Sequence, residues 1–189
     1  LKITNFADDK DIIFQSDDGS GGHTDYFVVD GGLVANIFYK RIKLIDNVQL
    51  QVGSNPDLLI YHDASNSYIQ ADGTGDLRIE QKTDDADISF RCDDGSGGTT
   101  EYFRLDGGNE HVVYSKPTIF SDDVKLKFGD GIDLEIFHQN SSGNAFIQNY
   151  TGNLRIIQNT DDGDITFESD NGSGGTTEYF RMDGSVTQM

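Results

Sequence analysis

The sequence predicts an all-β chain, an elongated array of repeated β-structure. Three observations predict it. The chain repeats itself at a spacing of 76 to 77 residues; within each copy the apolar residues alternate with polar ones; and short clusters of Asp, Asn, Gly and Ser punctuate the alternating runs. No window offers the i, i+3, i+4 apolar stripe of a helix.

The repeat comes first, because it fixes the organisation. Residues 87–108 (DISFRCDDGSGGTTEYFRLDGG) and 164–185 (DITFESDNGSGGTTEYFRMDGS) agree at 16 of 22 positions, and residues 11–32 (DIIFQSDDGSGGHTDYFVVDGG) are an earlier copy. A second block repeats with them: residues 48–67 match 124–143, and GTGDLRIEQ from Gly73 matches YTGNLRIIQ from Tyr150. Leu1, Lys2 and Ile3 correspond to Leu77, Arg78, Ile79 and to Leu154, Arg155, Ile156. The expected organisation is a repeat unit at 1–76, a second at 77–153 and a partial third at 154–189. The chain reads as a piece of a longer array.

Each copy opens with a hairpin. Ile88 and Phe90 alternate with Ser89 and Arg91, and the DDGSGG run that follows is a glycine-rich loop leading into the returning strand TTEYFRLD. The next strand is marked by Val48, Leu50 and Val52 alternating with Gln49 and Gln51, and by Val124, Leu126 and Phe128 alternating with Lys125 and Lys127. Then come Leu58, Ile60 and His62, and in the second copy Leu134, Ile136 and His138, again in phase. Each run is about 5 residues, an ordinary strand length.

Strands with one apolar face must lay it on something, and one unit of short strands has too little core to stand alone. Three architectures satisfy this: a trimeric β-prism or β-helix fibre shaft, a single-chain β-solenoid, or tandem small β-sandwiches. A simple solenoid repeats every 20 to 30 residues or so, whereas the short segments within one unit are unlike each other. The expectation is therefore a parallel homotrimer whose axis is lined by Leu58, Ile60, Val124, Leu126, Phe128, Leu134 and Ile136, with His62 and His138 facing the same interior.

Composition excludes several partners. With 33 Asp and Glu against 14 Lys and Arg, the net charge is −19, and no basic cluster is evident that could neutralise a phosphate backbone or an anionic membrane. No run approaches the roughly 20 apolar residues of a spanning helix. Twenty aromatic residues, 12 Phe and 8 Tyr, are too many for a disordered acidic tail, so an acidic, soluble, folded protein is expected. Its charge repels neighbouring edges, which protects repetitive β-structure from indiscriminate pairing and suits a saline medium. The single Cys92 provides no disulfide framework.

The order of the motifs carries a family resemblance. The pattern F/V-G-x-x-x-D-L-x-I-x-H (residues 52–62 and 128–138), SNSYI (65–69), GTGDLRI (73–79) and DDGSGGTTEYFRLDG (93–107) resembles the repeats of tail-fibre and tail-associated virion proteins of marine tailed phages, those of cyanophages and pelagiphages in particular. The resemblance covers essentially the whole chain. It implies an elongated, trimeric β-structured shaft, located in the virion tail and extracellular, that contacts other tail proteins and helps to carry a host-recognition tip. A repeated surface presents the same chemistry unit after unit, so host binding is expected outside residues 1–189.

No catalytic, cofactor-binding or metal-binding residue is assigned. Paired carboxylates could serve a glycosidase, but Asp84 and Asp85 recur as Asp8, Asp9 and as Asp161, Asp162, and Asp93 recurs as Asp17 and Asp170. Residues present in every unit are turn-formers before they are halves of a unique active site. Cys92 is replaced by Ser16 and Ser169, which argues for a small side chain and against a nucleophile. The DDGSGG loops offer oxygens to calcium, yet their acids are adjacent and no Glu closes the loop, so an exposed hairpin tip is the expected reading. His62 and His138 could form an axial ring of three imidazoles in a trimer, though a hydrogen-bonded histidine is the simpler expectation. His23 and His111 stand where other copies have Thr or Ala. Function is accordingly expected to be structural and non-enzymatic. The alternatives are a bacterial β-repeat adhesin or filament subunit, and a segment of a polysaccharide-degrading tailspike.

Overall fold

The computed structural model describes residues 1–186. Among these residues there are fourteen strands and no helix, and no sheet closes into a barrel. The chain is all-β, as its period-two patterning dictates.

The chain divides into two compact units, Leu1–Glu80 and a second that begins at Gln81. In the first, β1 (Ile12–Asp17), β2 (His23–Asp30) and β3 (Ala35–Phe38) form one antiparallel meander, and β4 (Leu50–Val52), β5 (Leu58–His62) and β6 (Ser67–Ala71) form another. The second unit repeats both. There β7 (Ile88–Asp93), β8 (Thr99–Asp106) and β9 (His111–Tyr114) make the first kind of sheet, and β10 (Leu126–Phe128), β11 (Leu134–Gln139) and β12 (Asn144–Asn149) the second kind. The partial repeat adds a hairpin of β13 (Ile165–Asp170) and β14 (Thr176–Met182). Every ladder is antiparallel and joins strands adjacent in sequence. Small antiparallel sheets in tandem are consistent with the third of the expected architectures in their order along the chain, although no second sheet closes any of them into a sandwich.

The first kind of sheet is organised by an aromatic row and a bulge. Phe14, Phe27 and Phe38 stand side by side across three strands, with ring centroids 5.5 and 4.7 Å apart, and Phe90, Phe103 and Tyr114 repeat the row. Immediately beyond the row the register slips: Phe14 pairs with Phe27 but Gln15 with Asp25, leaving Tyr26 as the extra residue of a β-bulge. The same slip isolates Tyr102 and Tyr179. Each tyrosine hydroxyl then donates to a backbone carbonyl at the end of the facing strand: Tyr26 to Asp17 at 3.0 Å, Tyr102 to Asp93 at 3.4 Å and Tyr179 to Asp170 at 3.0 Å.

In the second kind of sheet, a two-residue insertion distinguishes the copies. The β5–β6 hairpin closes on the pair His62 and Ser67, whereas the β11–β12 hairpin extends by one further pair, Gln139 and Asn144. Because side chains alternate with period two, inserting one residue in each strand lengthens the hairpin without turning the apolar face over. Ile60 still faces Ile69, and Ile136 still faces Ile147.

What the sheets lack is a second layer. Within each unit, strand contacts are confined to strands of the same sheet. The only buried hydrophobic side chains among the described residues are Val28 and Leu59, while Leu77, Ile79, Leu154 and Ile156 of the repeated LRI segments stay exposed.

Candidate functional site: repeated loops and open apolar faces

The acid-rich loops are built to satisfy themselves. In residues 18–22, one oxygen of Asp18 accepts hydrogen bonds from the Ser20 amide (2.8 Å), the Ser20 hydroxyl (2.7 Å) and the Gly22 amide (3.1 Å). Asp94 takes the same three from Ser96 and Gly98. In the third copy the position is Asn171, and its amide oxygen again accepts from Ser173 twice and from Gly175. An uncharged residue thus does the same work, which identifies the position as a hydrogen-bond acceptor. The glycines supply the backbone: Gly19 and Gly21 have φ of 84° and 89°, and Gly95 and Gly97 of 79° and 90°. The donors hold the Asp18 and Asp94 carboxyls below the usual range, the serine hydroxyl contributing most.

The other repeated acids are structural in the same sense. Asp9, Asp85 and Asp162 sit in the left-handed region, with φ of 53°, 58° and 55°, a conformation that Asp tolerates better than most residues with a Cβ. Asp11, Asp87 and Asp164 each accept the amide of a glycine that follows the returning strand, Gly31, Gly107 and Gly184, at 3.0, 3.0 and 2.9 Å. Cys92 is exposed and pairs across the ladder with Thr100, as Ser16 does with Thr24 and Ser169 with Thr177.

The two equivalent histidines have different partners. His62 Nδ1 lies 3.1 Å from Ser67 Oγ, and His138 Nδ1 lies 2.8 Å from Asp122 Oδ1. Both are on the apolar face of their sheets, beside Ile60 and Ile136, and that face is open in the single chain. Among the described residues no group of three or more His, Cys, Asp or Glu is placed to hold a metal ion.

That open face repeats in both units. In the first unit Leu50, Ile60 and Ile69 run across the three strands and, with Val48, Ile42, Leu44 and Ile45, line a groove of about 680 Å³. In the second, Leu126, Ile136 and Ile147 run across β10, β11 and β12 and, with Val124 and Phe120, line one of about 560 Å³. The residues expected along a shared axis therefore do share one face of each sheet. Exposure repeats too, for Ile69 and Ile147 are each 63% exposed.

The opposite face is better covered and varies between units. In the first, Leu59 is buried beside the stacked pair Tyr61 and Tyr68, 4.8 Å apart. In the second, Glu135 takes that place, accepting hydrogen bonds from Lys125 Nζ (2.6 Å) and Tyr150 Oη (2.9 Å) beside the stacked Phe137 and Phe146. Lys125 foremost, and Tyr150 against the opposing effect of burial, hold the Glu135 carboxyl below its ordinary range.

Sequence reasoning missed this ion pair, the bulge tyrosines and a small basic stretch. Lys40, Arg41 and Lys43 fall within four residues on the exposed segment after β3, which corrects the expectation that nothing in the chain is clustered and basic. Comparison with known protein families, curated proteins and solved structures finds no match.

Proposed function

We propose that this chain is a structural segment of a bacteriophage tail-fibre shaft, assembled as a parallel homotrimer and carrying no catalytic centre of its own. The observation that carries the reading is the mismatch between apolar surface and burial. Among the described residues Val28 and Leu59 are the buried hydrophobic side chains, while equivalent faces around Ile60 and Ile136 stay open. Strands with one apolar face must lay that face on something, and within each unit no second sheet covers it. A companion that always accompanies the chain in equal number is another copy of itself, and closed cyclic symmetry lets equivalent faces meet around an axis. The loops support a shaft in preference to an enzyme, because their repeated acids are occupied by turn hydrogen bonds.

The tail-fibre assignment is supported by the motif order described above. Sedimentation and light scattering test the assembly: the expected particle has three times the 20.8 kDa of one chain, and a compact, heat-stable monomer would overturn it. Genes for capsid or baseplate proteins beside the coding sequence are expected. Release of reducing ends from capsule or lipopolysaccharide by the purified chain would overturn the non-enzymatic reading.

A further inference from the structure

We propose that Asn171 is a self-converting site: its loop closes the side chain on the Gly172 backbone nitrogen, expels ammonia and directs the final product to aspartate. The reaction lies within one loop, so it stands apart from the assembly reading.

The sequence singles the position out. Asn171 is the one asparagine in the sequence that glycine follows, and its counterparts in the first two units are Asp18 and Asp94. The loop is otherwise the same, since Gly-Ser-Gly-Gly follows in all three copies. Glycine favours ring closure because no Cβ crowds the approach of its nitrogen to the side-chain carbon. Asn171 and Gly172 are exposed, and Gly172 has a φ of 78°.

The loop supplies the groups that the reaction uses. Asn171 Oδ1 accepts from the Ser173 amide at 2.9 Å, the Ser173 hydroxyl at 3.0 Å and the Gly175 amide at 3.2 Å. These donors polarise Cγ and already stand where negative charge gathers once a nucleophile adds to it. The nucleophile is the Gly172 nitrogen, whose N–H donates to Asp170 Oδ2 at 3.0 Å. That carboxylate is within reach to take the proton.

The steps balance with water as the one co-reactant. The Gly172 nitrogen bonds to Cγ as its proton passes to Asp170, and the Cγ–Oδ1 π pair moves onto Oδ1. The tetrahedral carbon then collapses. Oδ1 regains its double bond, and Nδ2 leaves with the bonding pair, takes the proton back from Asp170 and departs as ammonia. A five-membered succinimide remains. Water adding at Cγ breaks the new bond and gives aspartate on the original backbone; water adding at the Asn171 backbone carbonyl diverts the chain through Cγ as isoaspartate. The donors on Oδ1 favour addition at Cγ, as they favoured ring closure there. The product also fits, because Asp18 and Asp94 make the same three hydrogen bonds.

Peptide mapping by mass spectrometry, with fragmentation that separates aspartate from isoaspartate, tests this on the full chain held near neutral pH. Conversion at position 171 is expected to be faster in the folded chain than in guanidinium chloride, and to give mainly aspartate. Hydroxylamine is expected to trap the ring by cutting between residues 171 and 172. Asp170→Asn keeps an acceptor but takes no proton, and should slow conversion by roughly tenfold or more, a positioned base being worth about 10²–10⁴-fold in enzymes. Asp94→Asn transplants the site into the second unit, where the Gly95 amide donates to Asp93 Oδ2 at 2.9 Å, and should revert to aspartate. Conversion no faster in the folded chain than in denaturant, a product that is mainly isoaspartate, or a D94N chain that keeps its amide overturns the proposal.

Discussion

Lys125 Nζ lies 2.6 Å from Glu135 Oε2, and this pair occupies the place that Gln49 and Leu59 hold in the first unit. A parallel exchange occurs in the other sheet. Val28 is buried in the first unit, and its equivalent Arg104 bonds Asp106 at 2.9 Å, Glu101 at 3.0 Å and Asp87 at 3.1 Å. Both buried hydrophobic residues of the first unit thus become ion-paired residues in the second. The fold accepts either solution because each position needs its volume filled and its polar atoms satisfied, and a paired charge meets both conditions.

The pair should therefore behave as a unit. Lys125→Ala leaves the Glu135 carboxylate covered without its cation and should lower the thermal midpoint. The double variant K125Q/E135L, which restores the residues of the first unit, should recover most of the loss. Calorimetry of the native chain, K125Q, E135L and K125Q/E135L decides it; additive effects of the two substitutions would refute the coupling.

Acid should destabilise the fold, and part of that sensitivity is removable. The Asp18, Asp94 and Glu135 carboxyls are all held below their ordinary values. Their unfolded counterparts therefore take up protons first as pH falls, so their stabilisation is complete above the ordinary carboxylate range of about 4 to 4.5 and is lost as pH drops through the folded-state values. Asp94→Asn should leave stability at pH 7 nearly unchanged, because Asn171 closes the equivalent loop, and should flatten the acid limb. Asp94→Ala should lose stability at both pH values. Thermal midpoints at pH 3 and pH 7 separate these outcomes.

Gly107 should resist any side chain. A Cβ there would meet the Ala86 carbonyl oxygen at 2.5 Å, and Gly31 stands in the same relation to Lys10. The Gly107 amide is also fixed by Asp87 at 3.0 Å. Gly107→Ala should cost roughly 1–3 kcal/mol, the usual penalty of overpacking against structure that cannot yield. Ala at Gly97 would meet no such neighbour, but its φ of 90° makes it strained for another reason. A denaturation midpoint for G107A equal to that of the native chain would contradict the close approach.

Charge on the two faces of the second kind of sheet should have opposite consequences. Leu126→Asp places a carboxylate on the face proposed to meet other copies, where an uncompensated buried charge costs several kcal/mol per copy. On the proposed assembly, association and folding should be lost together. Gln70→Glu falls on the other face, across from the buried Leu59, keeps an acceptor for the Tyr61 hydroxyl and should leave the sedimentation profile unchanged. Equal behaviour of the two variants would place the interface elsewhere.

Local properties were legible in the amino-acid order. The 76- to 77-residue repeat, the period-two alternation and the DDGSGG loops specify strands, hairpins and turns through contacts a few residues apart, and all three reappear in the structure. The equivalence of His62 with His138 and the shared face of Leu58 with Ile60 follow from the same alternation. The sequence by itself also marked Asp84, Asp85 and Asp93 as turn-formers, because a residue that returns in every unit serves what every unit has in common.

Only the tertiary structure decided matters that depend on which strands pair and what covers them. Alternation divides a strand into two faces and does not say which is covered: Leu59 is buried on the face opposite Leu58 and Ile60, and Glu135 on the face opposite Leu134 and Ile136. The bulge at Tyr26, Tyr102 and Tyr179 is a slip between two strands, so it exists only once both are in place. Glu135 looks like any surface acid until Lys125 and Tyr150 are brought to it from neighbouring segments. That no sheet lies on another within a unit is likewise a non-local fact, for it depends on whether apolar faces find each other, and the sequence records only that the faces exist.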